Sequence, residues 1–336
     1  MEKLLSIIIP IYKVEEYIGQ CLESVLIPDV SLRERIEVVA VNDGTPDHSA
    51  DMAKEYVEKY PSIFTVIDKE NGGHGSAFNE GLRHATGKYL KFIDSDDWFD
   101  TAALERLMKF LENSDVDLVL NPFNYFLVES KEYKLIPIKN MPYGELMSMD
   151  EYDFINSGNR QNLTVFHSAT YKTSLLQKYA PFFAEKVFYD DIALRFVPIA
   201  LCDNFIAFDY PIYNYRVGRV GQTITYENKK KHAADVNKVV ACTIDFLCRC
   251  KSYQDKPRAK YIRHLLSRMI YFQIESISRM HYAESRQILE DYRHVLVPAK
   301  GMYDKYRRHK VFDVLPFPLF FGLYRLYDLI LYKDKI

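Results

Sequence analysis

The apolar and polar positions along the chain set up a repeating alternation. Leu4 to Pro10 (L-L-S-I-I-I-P) is an almost unbroken apolar run rich in β-branched residues, the pattern of a strand buried on both faces. From Val14 to Leu26 the apolar residues fall at helical spacing, with Tyr17, Ile18, Cys21, Leu22 and Val25 on one face. Ile36 to Val41 reads as a second buried strand closed by Asn42-Asp43-Gly44, and a polar helix follows from about Asp47 to Lys59. Ile63 to Ile67 is the third strand, followed by Asn71-Gly72-Gly73-His74-Gly75 and a helix to about His84. Tyr89 to Ile93 is the fourth, a helix begins near Thr101, and Val116 to Leu120 is the fifth strand. This alternation predicts an α/β fold with a mostly parallel central sheet and helices on both faces.

Beyond it the pattern loosens. Pro122, Pro137 and Pro142 break up short aromatic stretches, which reads as loops and antiparallel strands, and Tyr171 to Tyr179 looks like a short helix. Phe188 to Arg195 places the acidic pair Asp190-Asp191 at a helix start; Phe205 to Tyr215 returns to strand, and Arg216 to Thr223 is a basic loop containing glycine. From about Lys229 to Leu296 the spacing is helical.

In a parallel sheet, ligands bind beyond the carboxyl ends of the strands. Pro10-Ile11-Tyr12, Asn42-Asp43-Gly44, Asn71 to Gly75 and Asp94 to Asp97 all stand at such ends, so the polar and glycine-rich residues converge on one rim. The stretch Lys88 to Trp98 organises it: an apolar strand ends abruptly in Asp94, Asp96 and Asp97. Carboxylates this close repel one another, and a cation keeps them ionised. Asp94 and Asp96, one residue apart, point the same way off extended backbone and can share a hard metal ion with a ligand's phosphates.

Each motif also has a plainer reading. Asp and Ser are favoured helix N-caps, both for the helix near Thr101 and for Asp190-Asp191 over Ile192 to Cys202. Asp43 in Asn-Asp-Gly suits an Asx-turn, and His74 reads as a loop residue. The Asn71–Gly75 loop has neither P-loop nor dinucleotide-fold spacing, although its glycines let backbone approach a ligand closely.

Composition narrows the classes. The 336 residues suffice for about two domains, 48% are hydrophobic, and the formal net charge of −2 argues against nucleic-acid binding. The 26 Tyr and 21 Phe suit ring-lined pockets as well as core packing. Cys21, Cys202, Cys242, Cys248 and Cys250 form no C-x-x-C pair, so free thiols in a reducing, cytoplasmic setting are expected rather than zinc. Met1 to Ser6 runs directly into a strand without a signal-peptide pattern, and no apolar run reaches the ~18 residues of a membrane span.

Five segments together resemble the family 2 glycosyltransferases, which have the GT-A fold. They are S-I-I-I-P-I-Y-K (6–13), V-N-D-G-T-P-D (41–47), N-G-G-H-G-S-A-F-N-E-G (71–81), A-T-G-K-Y-L-K-F-I-D-S-D-D-W (85–98) and Y-D-D-I (189–192). The resemblance is specific over residues 4–100, looser to about 225, and silent beyond. It implies an inverting transfer of a sugar from a nucleotide-sugar donor, a UDP-sugar favoured, to a hydroxyl of a saccharide or lipid-linked acceptor in surface polysaccharide biosynthesis. It places Pro10, Tyr12 and Asp43 at the base, Asp94 and Ser95 near ribose and phosphate, and Asp96, with Asp94, on Mn²⁺ or Mg²⁺. Asn71, Gly73 and Asn79 fall in the donor-binding loop segment. Asp191 is the expected base, with Asp190 as the alternative, and Arg216 or Arg219 would meet the diphosphate. Lys13 stands where the family usually has Asn, and Asp190 where it usually has Glu. The alternative is a catalytically inactive sugar-nucleotide-binding or scaffold subunit of a synthesis complex.

The expected division is a catalytic domain over 1–225, with a nucleotide-binding half (1–120) and an acceptor-side half (121–225), then a mainly helical region over 226–336. Residues 298–336 carry eight Lys or Arg against four Asp, and Pro318 to Tyr332 reads as an amphipathic helix. At ~22 Å it is too short to cross a ~30 Å hydrocarbon core. The expectation is peripheral contact of 312–336 with the cytoplasmic membrane face, Arg307, Arg308 and Lys310 meeting anionic lipid. The competing expectations are docking on its own domain or on a second subunit, which would make a homodimer.

Overall fold

The computed structural model describes residues 2–159, 164–219, 231–278 and 282–299. Its centre is β1 (Leu5–Ile11), every residue of which is buried. Leu5, Ile7, Ile8, Ile9 and Ile11 are fully enclosed, each contributing about 1.5–3 kcal/mol of burial. β1 lies between β2 (Ile36–Asn42) and β4 (Tyr89–Phe92), parallel to both, and β2 pairs in parallel with β3 (Phe64–Asp68). The helices α1 (Ile18–Glu23), α3 (Ser49–Lys59), α4 (His74–His84) and α5 (Thr101–Leu111) connect or flank these strands, with α2 (Val30–Arg33) between α1 and β2.

The second half of the sheet is mixed. The fifth expected strand, β6 (Leu118–Leu120), does not join β4. Between them lies β10 (Ala169–Lys172), antiparallel to both, whose last two residues, Tyr171 and Lys172, come from the stretch Tyr171 to Tyr179 that the sequence reads as helix. Only Thr173–Gln177 of that stretch is helical (α6). β11 (Asn204–Ala207) pairs in parallel with β6, and β9 (Leu146–Ser148) closes the edge, giving the order β3-β2-β1-β4-β10-β6-β11-β9. The strand expected over Phe205–Tyr215 is two: β11, and β12 (Tyr213–Val217), which belongs to a second sheet of order β5-β12-β7-β8 with β5 at Trp98–Phe99, β7 at Phe123–Leu127 and β8 at Glu132–Ile136. That small sheet is hinged to the acidic turn, because β5 follows Asp97 directly.

Asp190–Arg195 forms a 3₁₀ turn and Val197–Leu201 the helix α7. Three longer helices follow: α8 (Ala233–Arg249), α9 (Ala259–Ser278) and α10 (Tyr282–Leu296). No helix among the described residues is long and apolar enough to cross a membrane. Cys21, Cys202 and Cys250 are buried, and all five cysteines are free thiols. The segment 312–336, with its expected helix at 318–332, lies outside the described residues.

Candidate active site

The carboxyl ends of β1, β2 and β4, the start of α4 and the 3₁₀ turn at Asp190 enclose one cavity of about 1120 Å³. Its walls include Pro10, Tyr12, Asp43, Asn71, Gly73, His74, Asp94, Ser95, Asp96, His167, Asp190, Asp191, Arg195 and Arg219. Asn79 and Arg216 do not line it.

Asp43 directly follows β2 and is buried. Its Oδ1 accepts from the Gly72 N–H and the Lys69 ammonium (2.8 and 2.7 Å), and its Oδ2 accepts from the Gly73 N–H (2.8 Å). Asp43 therefore anchors the glycine loop. The Asx-turn expected of Asp43 does not form; the local side-chain-to-backbone bond comes from its neighbour, Thr45 N–H donating to Asn42 Oδ1 three residues back at 2.9 Å. Gly73 has φ +85°, which a residue with a Cβ rarely adopts, and caps α4. Gly75 lies so near the next segment that a Cβ there would stand 2.2 Å from the Ala184 carbonyl oxygen. Asn79, one turn on, bonds Phe183 O, Phe183 N and Glu185 through its amide, so it ties α4 to the chain leading into Asp190.

His74 opens α4 and lines the cavity. Its Nδ1 lies 2.9 Å from Asp190 Oδ2 and its Nε2 2.9 Å from Asp94 Oδ1. Carboxylates only accept, so both ring nitrogens must donate and the ring is an imidazolium. Burial pulls the His74 pKa down, but Asp190 and then Asp94 outweigh it, and the net shift is well upward. The loop position read from sequence is thus a cationic bridge between the two acidic motifs.

The acidic turn is not a cap. Asp100 caps α5, accepting from Ala103 N–H at 2.8 Å, while each upstream carboxylate has other business. Asp96 is ion-paired with Arg219. Asp97, almost wholly buried, accepts from Tyr213 Oη (2.5 Å) and Arg216 N–H (2.8 Å). Burial first, then Asp96 and Asp94, push the Asp97 carboxyl well up. The Arg216 guanidinium donates to the Asp96 carbonyl and to Gln20 and stacks near Trp98 (4.7 Å) and Tyr17 (4.9 Å). It buttresses the turn from outside the cavity.

Asp190 and Asp191 do not cap a helix either, for no side-chain cap bond forms at the 3₁₀ turn. Asp190 is buried and committed to His74. Asp191 makes no side-chain hydrogen bond among the described residues; burial lifts its pKa to about 6, with Arg195 opposing and Asp190 reinforcing.

His167, just before β10, was not signalled by any motif. Its Nδ1 and Nε2 are both buried without a hydrogen-bond partner among the described residues. Burial lowers its pKa to about 4, so the ring is neutral near pH 7. Atoms of His167, Asp94 and Asp97 lie within 4.8 Å of one another. Two carboxylate oxygens and an orphaned imidazole nitrogen fit a divalent cation.

Residues 6–179 match the family described as Glycosyl transferase family 2. The chain is a member of that family. Among the relatives of this chain are the minor teichoic acid biosynthesis protein GgaB of Bacillus subtilis, 36% identical over 132 residues (39% of this chain, 15% of that protein), and the uncharacterized glycosyltransferase EpsJ of the same organism, 41% identical over 119 residues (35% and 33%). The alignments thus span a third or less of these curated relatives. The fold matches S. aureus TarS 1–349, solved in complex with UDP-GlcNAc, with a TM-score of 0.51 at 20% identity over 89% of this chain and 92% of that one. This family 2 member accordingly has the GT-A fold, with a helical C-terminal region.

Proposed function

We propose that this family 2 glycosyltransferase moves a sugar from a nucleotide-diphosphate sugar, a UDP-sugar in the first instance, to a hydroxyl of a saccharide or lipid-linked saccharide, inverting the anomeric centre. The observation that carries the reading is that Asp43, Asp96 and Asp191, distant in sequence, line one cavity. At about 1120 Å³ it exceeds the ~300–1,000 Å³ of most small-ligand pockets, leaving room for donor and acceptor together. The UDP-GlcNAc bound by TarS and the teichoic acid role of GgaB favour a donor of that kind and a cell-surface polymer as product.

Pro10 and Tyr12 would flank the base, and Asp43 would present what lone pairs the glycine loop leaves it. Arg219 would face the diphosphate. The acidic turn, with Asp94 at its start, would hold Mn²⁺ or Mg²⁺, which supplies positive charge against the leaving diphosphate. Asp191 is the base of choice because it is uncommitted, whereas Asp190 is occupied by His74. Its pKa of about 6 leaves it ionised at neutral pH yet basic enough to take a proton. In the reaction, the acceptor oxygen bonds to the anomeric carbon and its proton passes to Asp191. The bond from that carbon to the phosphate oxygen breaks, and its electron pair leaves with the nucleotide diphosphate.

A thermal-shift panel of UDP-, GDP- and other nucleotide sugars, with and without Mn²⁺, tests the reading. A clear rise in Tm with one nucleotide class, greater with metal, is expected; no shift with any donor would overturn it. Peripheral membrane attachment through 312–336 is part of the same proposal, and unchanged vesicle partitioning after deleting that segment would discard it.

A further inference from the structure

We infer that Arg195 and Arg268 form an acceptor-side anion site, and that the acceptor carries a phosphate group close to its reacting hydroxyl. The inference rests on the sugar-transfer reading above and specifies the chemical class of its acceptor.

One wall of the cavity is made by the 3₁₀ turn and by α9, a helix beyond the family match over 6–179. Leu265, Arg268 and Met269 stand at i, i+3 and i+4 on one face of α9, and all three line the cavity. The helix is fixed to the sheet domain. The buried Arg258, just before it, bonds Asp150 (3.1 Å) and Asp203, and Tyr261 stacks on Phe154 with centroids 4.9 Å apart. Arg195 ends the 3₁₀ turn that carries Asp191. Base and leaving group lie on opposite faces of the sugar in an inverting transfer, so a cation grouped with the base lies on the acceptor side.

The charges decide what fits there. Arg219 is paired with Asp96, and His74 with Asp94 and Asp190. Lys186 stands at the glycine loop, where its N–H donates to the Gly72 carbonyl at 2.7 Å. The Arg195 and Arg268 side chains have no hydrogen-bond or ion-pair partner among the described residues, and the Arg195 Nε is buried. Both guanidinium groups act on Tyr261: burial pushes its hydroxyl up to about 12, while Arg195 and Arg268 oppose the rise. Two like charges near one ring repel each other, and the apolar Phe166, Phe196, Leu265 and Met269 of the same wall screen them poorly. An anion held by both removes that cost. The two guanidinium forks come from different elements, so a tetrahedral phosphate can meet both, whereas a planar carboxylate takes one fork in its plane.

The test is a thermal-shift titration of the full chain saturated with UDP and Mg²⁺, at constant ionic strength, read as the Kd of each added probe. The phosphate probes are glycerophosphoglycerol, a polyol phosphodiester, and geranyl diphosphate, a lipid phosphate; glycerol, geraniol and glucuronate are the controls. At least one phosphate probe should bind ~10-fold more tightly than the controls, and the better of the two tells a phosphate within a polymer from one on a lipid carrier. Arg195→Gln and Arg268→Gln should each weaken that probe ~10-fold while UDP affinity changes by no more than ~2-fold, and Arg268→Lys should retain part of the affinity. Arg268 is exposed, so its variants decide the matter if Arg195→Gln does not fold. Phosphate probes no tighter than the controls, or an Arg268→Gln chain that loses as much affinity for UDP as for phosphate, would overturn the inference. A wild-type chain that binds no UDP would instead remove the UDP-sugar reading, and this inference with it.

Discussion

His74 Nδ1 lies 2.9 Å from the Asp190 carboxylate, and through its other nitrogen the same ring reaches Asp94. One helix-opening residue thereby joins the end of β4 to the turn that carries the proposed base.

This bridge should be visible in stability. A histidine whose pKa is raised by folding contributes stability fully below its unfolded value near 6.5, and that contribution is lost as pH rises through the higher folded value. Metal-free protein should therefore lose stability between about pH 6.5 and the folded pKa, and His74→Gln should remove this dependence. With the ring about one-third exposed, the variant should cost about 1–2 kcal/mol near pH 6. Chemical denaturation across pH measures both; an unchanged slope in the variant would contradict the cationic bridge.

Asp191 and Asp190 should separate kinetically. Asp191→Asn is expected to lower transfer by at least ~10³, about 4 kcal/mol of barrier, while Asp190→Asn, acting through His74, should lose no more than ~10². For the wild-type enzyme kcat/KM should rise with pH through about 6 and level above it, because the base must be ionised. A flat acid limb, or equal losses in both variants, would reassign the base.

Arg219 and Asp96 form an ion pair in the cavity wall, and each should matter through the other. Asp96→Asn and Arg219→Ala should each reduce kcat/KM by about 10²-fold, and the double variant by little more, since the second substitution removes a partner already lost. Fully multiplicative effects in a double-mutant cycle would show that the two act separately.

Gly75 tests the packing behind the site. An added methyl would lie 2.2 Å from a backbone oxygen that cannot swing aside, so Gly75→Ala should destabilise the fold by about 1–3 kcal/mol. That corresponds to a Tm lowered by several degrees in calorimetry. Donor affinity should fall as well, because Asp190 Oδ2 would also be crowded, at 3.1 Å.

The rim was legible in the chain because it depends on local pattern. Parallel strands end where apolar runs stop, and Asp43, Asp94 to Asp97 and the Asn71–Gly75 loop sit at those stops. What escaped reading depends on pairing across long separations. β10 inserts antiparallel beside β4 although its four residues carry no distinctive alternation and run into a helical stretch. His74 resembles any loop histidine until Asp190, 116 residues later, is folded against it. His167 belongs to no motif, and Lys69, a surface-type residue, finds Asp43 only through the fold of its loop. Asp100 as the true cap of α5 shows the opposite case, in which a local rule was right and the neighbouring acids were freed for other partners.

The placement of β10 also bears on how the protein is made. Until residue 172 has left the ribosome, β4 offers one bare flank to any extended peptide, and the first hundred residues hold an unfinished sheet. A nascent chain halted before that point would carry the strand ends at Pro10, Asp43 and Asp94 on a scaffold open to mispairing, so the late strand acts as the clasp that ends this exposure.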